Sequence, residues 1–96
     1  VNTMLSLQNF AAAVGEEFAL DLGTASVALA LVEAKPLSHG AGGLRHPFSL
    51  VFRAASHVVL PQKIYSLANA TLGRHGIFLV PIGRDPAGVL YQAVFN

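Results

Sequence analysis

The sequence predicts an all-β fold, a small antiparallel barrel of about six strands with one short N-terminal helix; a two-sheet β-sandwich is the alternative. Apolar residues recur with period two along most of the chain, and Gly, Pro, Asn and Asp gather between the alternating runs. No helical pattern is long enough for the crossover of a parallel βαβ unit, so an antiparallel meander is the simplest arrangement. Closure is favoured over a sandwich because it removes exposed strand edges. A length of 96 residues and 10.1 kDa fits one domain, 1–96, and is too short for two independent cores. Hydrophobic residues make up 53%, charged residues 11%, and mean hydropathy is +0.55, a composition that folds and is not that of a disordered chain.

Residues 1–4 are given no structural weight, with Met4 expected as the natural start. Ser6 can cap a short helix over residues 7–14, where Leu7, Phe10, Ala11 and Val14 form one apolar stripe and Gly15 supplies a stop. At Glu17 the period changes to two, with Phe18, Leu20 and Leu22 on one face until Gly23 and Thr24 break the strand. Residues 26–35 form a longer strand in which Val27, Leu29 and Leu31 alternate with Ala28, Ala30 and Val32. Residues 36–46 (PLSHGAGGLRH) have no periodicity and read as a mobile loop, built on His39, Gly40, Gly42, Gly43, Arg45 and His46.

Residues 47–54 (PFSLVFRA) alternate again, with Phe48, Leu50 and Phe52 inward and Pro47 at the strand's first position or an edge. After a redirecting stretch, residues 63–68 set Tyr65 and Leu67 opposite Ile64 and Ser66. Residues 69–76 (NATLGRHG) are turn-rich. Residues 77–82 are almost continuously apolar and read as a buried central strand ending near Pro81 and Gly83. Residues 84–88 (RDPAG) are a turn of hairpin length, and Val89, Tyr91, Ala93 and Phe95 line one face of a closing strand. The eight aromatic residues are expected in the core.

The chemistry-bearing residues do not assemble into a motif. Six Lys or Arg against five Asp or Glu, scattered along the chain, give a net charge of +1 and no footprint for nucleic acid or an anionic membrane. The absence of cysteine excludes a disulfide framework, a thiolate metal site and a cysteine nucleophile. His39, His46, His57 and His75 fall in separate loops and turns without metal-ligand spacing. The glycine-rich segment around Gly40 is followed by Leu44, Arg45, His46 and Pro47, not by the Lys and Ser/Thr of a phosphate cradle. No serine sits in a Gly-x-Ser-x-Gly elbow, and Glu16 and Glu17 would point to opposite faces of a strand. No catalytic residue, cofactor or metal is therefore expected, and an enzyme is the third choice of function.

PFSLVFRA (47–54), LPQKIYSL (60–67), LGRHGIFLVPIGRD (72–85) and YQAVFN (91–96), with LSLQNFAAAVGEEFALDL (5–22), resemble a family of small bacterial proteins of uncharacterised function. The resemblance covers nearly the whole chain and implies a compact β domain, with no activity or site residue to carry over. Lys63 stands where similar proteins often have glycine.

A domain of this size buries only about 60 to 65% of its unfolded surface. With so few charges, apolar area must remain outside a lone monomer. Ala28, Ala30 and Val32, with Leu90 and Val94, are the expected interaction surface, an unpaired strand edge being another route. The expected function is a non-enzymatic structural or protein-interaction domain that forms a homo-oligomer or docks onto other protein subunits in a larger assembly. Phage tails and secretion machinery are the particle class that size and fold suggest. The alternative is a β-barrel module that binds a small ligand or peptide at its mouth. No signal peptide or transmembrane run is apparent, which leaves the cytoplasm as the default location.

Overall fold

A computed structural model describes residues 6–37 and 47–95; the loop built on His39, Gly40, Gly42, Gly43, Arg45 and His46 lies outside them, as do residues 1–5. The described chain runs α1 (Leu7–Ala11), β1 (Glu17–Asp21), β2 (Ser26–Pro36), β3 (Phe48–Ala54), β4 (Lys63–Asn69), β5 (Gly73–Asp85) and β6 (Gly88–Phe95). All pairings are antiparallel, and the strands close in the order β1-β2-β3-β6-β5-β4. The fold is thus the barrel and not the sandwich.

The connectivity corrects the expected meander. β3 and β4 follow one another in sequence but stand on opposite sides of the cylinder, with β6 and β5 between them. Residues 55–62 therefore cross one end of the barrel, and β3 to β6 form a Greek key. The crossing has no periodicity that could have revealed it. β5 is 13 residues long because it serves two neighbours in turn: residues 73–79 pair with β4 and residues 80–85 with β6. This absorbs Gly73 to Gly76 into a strand, where a long turn was expected.

Inside the cylinder the period-two pattern holds. Phe18, Leu20, Leu29, Leu31, Phe48, Leu50, Phe52, Ala54, Tyr65, Leu67, Ile77, Leu79, Val89, Tyr91 and Ala93 are all buried. Phe18 and Phe52 meet edge to face at 5.2 Å. The alternation slips once in β2, where a bulge between Leu31 and Glu33 leaves Val32 as the extra residue and turns Ala34 inward opposite Leu50. A second bulge in β5, between Pro81 and Gly83, lets the strand run past Pro81, where it was expected to end.

Three local expectations also change. The helix stops at Ala11, so Val14 is 44% exposed, because Gly15 at φ +92° turns its N–H onto the Leu31 carbonyl at 2.7 Å. Leu22 lies beyond the last β1 pair and is exposed. Phe78 and Ile82 are each 49% exposed, so β5 is buried on one face only and Phe78 is not a core aromatic.

Both ends are closed by side chains. At one end α1 lays Phe10 against Phe48 and Phe95, at 5.9 and 5.5 Å between centroids, and those two rings stack at 4.8 Å. Asn9 Oδ1 holds the helix start by accepting from the Ser6 N–H and hydroxyl. At the other end the crossing segment is tied to the barrel by two tyrosines. The Tyr91 hydroxyl accepts from the Leu60 N–H at 3.0 Å, and the Tyr65 hydroxyl donates to the Pro61 carbonyl.

Gly88 is where the β5–β6 hairpin meets the end of β3. It has φ +146°, and a Cβ there would lie 1.7 Å from the Ala54 carbonyl oxygen. Gly88→Ala is expected to cost on the order of 2–4 kcal/mol in urea unfolding, whereas Gly83→Ala, with open space around it, should change stability by less than about 1 kcal/mol.

Candidate functional site

The polar side chains of the barrel are mostly engaged in holding strands together. Asn69, buried at the end of β4, donates through Nδ2 to Glu16 Oε1 and the Glu17 carbonyl, and accepts through Oδ1 from the N–H groups of Thr71 and Leu72. Every hydrogen-bonding position of that amide is used, which makes it a brace for the β4–β5 turn. His75 lies 2.6 Å from the Leu72 carbonyl through Nε2. His57 is exposed in the crossing segment. Among the described residues no three His, Cys, Asp or Glu converge as metal ligands would.

Two ion pairs cross strands on the outside. Arg53 of β3 reaches over β6 to Asp85, placing Nε and Nη2 at 3.1 and 2.7 Å from one carboxylate oxygen. The hydrogen bond from Arg53 holds the Asp85 carboxyl below the usual carboxylate range, and the backbone N–H of Ala87 supports it from the turn. Arg74 of β5 donates to Ser66 Oγ at 2.9 Å and lies 3.6 Å from Asp21 across β4. Ala19, Asp21, Ser26, Arg74 and the turn at residues 23–25 line a shallow open hollow of about 440 Å³. Its Arg74 side chain is 60% exposed and already partnered, and the floor is small side chains, which is a cross-strand brace more than a binding pocket.

The two halves of the expected interaction surface do not form one patch. Ala30 pairs with Arg53, and Arg53 pairs in turn with Leu90, so the Arg53–Asp85 ion pair stands between them. Ala28 is exposed beside Ala19 of β1, Val32 is half-buried at the β2 bulge, and Val94 is 50% exposed on the far side of β6. The outward positions of the next strands are Ile64, Ser66 and Ala68 on β4, Arg74, Gly76, Phe78 and Val80 on β5, and Leu90, Gln92 and Val94 on β6. On β3, Val51 pairs with Gln92, and Ser49, paired with Val94, is buried with its hydroxyl unpartnered.

Of these outward residues Arg74 alone is ionisable, and its side chain is 60% exposed. Ile64 is 68% exposed, Phe78 49% and Val94 50%, and Ile64 pairs directly with Phe78. The β5–β6 pairing ends at Val80 and Gln92, so Phe78 pairs with β4 and Val94 with Ser49 of β3. By contrast the outer face of β1 and β2 carries Glu17, Asp21, Glu33 and Lys35. The signal for the apolar face was present: with Ile77 and Leu79 inward, Phe78 and Val80 must point out, but an unbroken apolar run conceals its own parity.

A family model for a domain of unknown function, DUF6916, matches residues 5–95. The chain belongs to the DUF6916 family. No match is found among curated proteins or among solved structures. Membership in DUF6916 agrees with the resemblance read from the sequence and carries no activity with it. Among the described residues, no helix is long and apolar enough to cross a membrane.

Two pH responses follow from these groups. Asp85 has its folded pKa depressed, so its contribution to stability is complete above the unfolded value of about 3.8 and fades as pH falls through the folded one. The difference in melting temperature between the wild type and Asp85→Asn should be constant from pH 7 to about 5 and shrink below about pH 4. Tyr65 has its pKa raised by burial, with a smaller push from Tyr91, so its neutral form stabilises the fold up to about pH 10 and the benefit is lost above that. Tyr65→Phe and Tyr91→Phe, which leave Pro61 and Leu60 unpartnered, should each cost about 1–2 kcal/mol at neutral pH, and Tyr65→Phe should flatten the alkaline fall.

Proposed function

We propose that this DUF6916 chain is a structural or protein-interaction domain without catalytic function, which self-associates or docks in a larger protein assembly. The observation that carries this reading is the exposure of large apolar side chains on the outside of the barrel, where Ile64 and Phe78 pair at 68% and 49% exposed and Val94 is 50% exposed on β6. A barrel whose inside is already packed derives nothing for its own core from three large apolar groups on its outside. Supporting it, Arg53, Asn69 and Arg74 are engaged as braces between strands. The rival reading, a ligand held at the barrel mouth, gains less support. The interior is filled by aromatic and branched side chains, and the Tyr91–Leu60 bond closes the end crossed by residues 55–62. Phage tails and secretion machines remain the kind of assembly we favour, on size and fold class.

Light scattering on the purified chain tests the reading. A mass that rises above 10.1 kDa with concentration in the tens to hundreds of micromolar is expected. A constant 10.1 kDa particle at every concentration, together with a melting temperature raised by a small apolar ligand, would favour the rival.

A further inference from the structure

We propose that residues 6–14 are a hinged lid on the barrel, which swings away at Gly15 and bares the Phe48–Phe95 stack while the six strands stay closed. This goes beyond the reading of the chain as an associating domain, because it concerns the mouth under α1 and holds whether or not the chain self-associates.

The segment is too short to be stable by itself. α1 spans five residues, and a helix of fewer than about 12 is marginal in water, so it persists only while it is packed. That packing is narrow. Between Ser6 and Gly15 only Phe10 and Ala13 are buried, Leu7 is half-buried, and the others are exposed. Among the described residues, the hydrogen bonds of this segment also stay within residues 6–16. The Asn9 and Phe10 N–H groups donate to the Ser6 carbonyl, Ala12 to Gln8, Ala13 to Phe10 and Val14 to Ala11, and the Asn9 side chain turns back to Ser6. The first bond to another strand comes from Gly15, whose N–H reaches the Leu31 carbonyl at 2.7 Å, and the Leu31 N–H returns to the Glu16 carbonyl at 3.1 Å. Everything before Gly15 is held to the barrel by apolar contact.

Gly15 is the pivot. Its φ of +92° is one that glycine adopts without strain, and a Cβ there would meet nothing within 4 Å, so the chain turns at this point with room around it. Beyond it β1 is paired on both sides, by β2 and β4, and stays with the barrel. The rings beneath the lid are positioned without it. Phe48 and Phe95 face each other as a β3–β6 pair and stack at 4.8 Å with their planes 8° from parallel. Lifting α1 gives up the contacts of Phe10, Ala13 and part of Leu7 and breaks no strand ladder. Such an opening is local and lies well below global unfolding in free energy. The open form presents two stacked rings to water at an apolar mouth.

Native-state hydrogen exchange on the full chain tests the lid. The N–H groups of Phe10, Ala12 and Ala13 should exchange at least about tenfold faster than those of Leu50 and Phe52 in β3, a strand paired on both sides. Their rates should also stay flat in urea below the unfolding transition, since a local opening exposes little surface. Phe10 and Phe52, both 0% exposed, separate lid from core. Phe10→Ala should speed exchange over residues 9–14 by a further factor of about ten, leave β3 protected to within about threefold, and raise the emission of added anilinonaphthalenesulfonate at least about threefold. The milder Phe52→Leu should do the reverse, speeding exchange in β3 and leaving the lid rates unchanged. Lid and β3 amides that exchange in the wild type at one rate with one urea dependence would overturn the proposal. So would a Phe10→Ala chain whose β3 loses protection in step with the lid, or whose dye emission matches the wild type.

Discussion

The joint between β1 and β4 turns a curled sheet into a cylinder, and it is made by only three residue pairs: Ala19 with Ala68, Leu20 with Leu67, and Asp21 with Ser66. Without it the order β2-β3-β6-β5 would leave β1 and β4 as open edges, one at either side. Leu20 and Leu67 face inward and seal the joint from within, while alanines at 19 and 68 leave its outer surface low. Polar groups brace it at both ends. Asn69 ties β4 to the start of β1 through Glu16 and Glu17, and Arg74 reaches across β4 to Ser66 and Asp21. Short ladders are weak on their own, so a buried, fully satisfied amide at one end and a cross-strand guanidinium at the other are where sequence-specific stabilisation of closure resides.

Closure in turn dictates what happens at the ends. A cylinder of six strands has two mouths through which water would reach the inward residues, and the chain uses different devices at each. Helix α1 brings Phe10 onto the Phe48–Phe95 stack. The β3-to-β4 connection lies across the opposite mouth, held by hydroxyls of Tyr65 and Tyr91 whose rings belong to the core. Tyrosine suits this position because one side chain fills the interior and also satisfies backbone polar groups of a segment without a sheet partner.

Much of this was legible in the residues. Alternation at Phe18 and Leu20, at Phe48, Leu50 and Phe52, and at Val89, Tyr91 and Ala93 reads directly as strands with an inner face, and the turn at Asp85-Pro86-Ala87-Gly88 reads as a tight hairpin. What stayed hidden depends on tertiary partners. The Greek-key crossing is a choice between neighbours that residues 55–62 do not encode locally, and the two bulges shift parity in ways set by the partner strand. Val94 could be placed outward from its own strand, but that Ile64 and Phe78 meet follows only from the pairing of β4 with β5.

Strand order also sets what the outside of the barrel presents. Each strand of a closed barrel must present alternate residues outward, so the few charged side chains can solvate only part of the circumference. Here the outward positions of β1 and β2 hold Glu17, Asp21, Glu33 and Lys35, and β3 carries Arg53 paired with Asp85. On β4 and β5 the exposed Ile64 and Phe78 stand on strands that also carry exposed Lys63, Arg74 and Arg84. Charge and apolar side chains therefore share the circumference, and each exposed Ile, Phe or Val adds to the tendency to associate only where it has an apolar neighbour, as Ile64 and Phe78 have in each other.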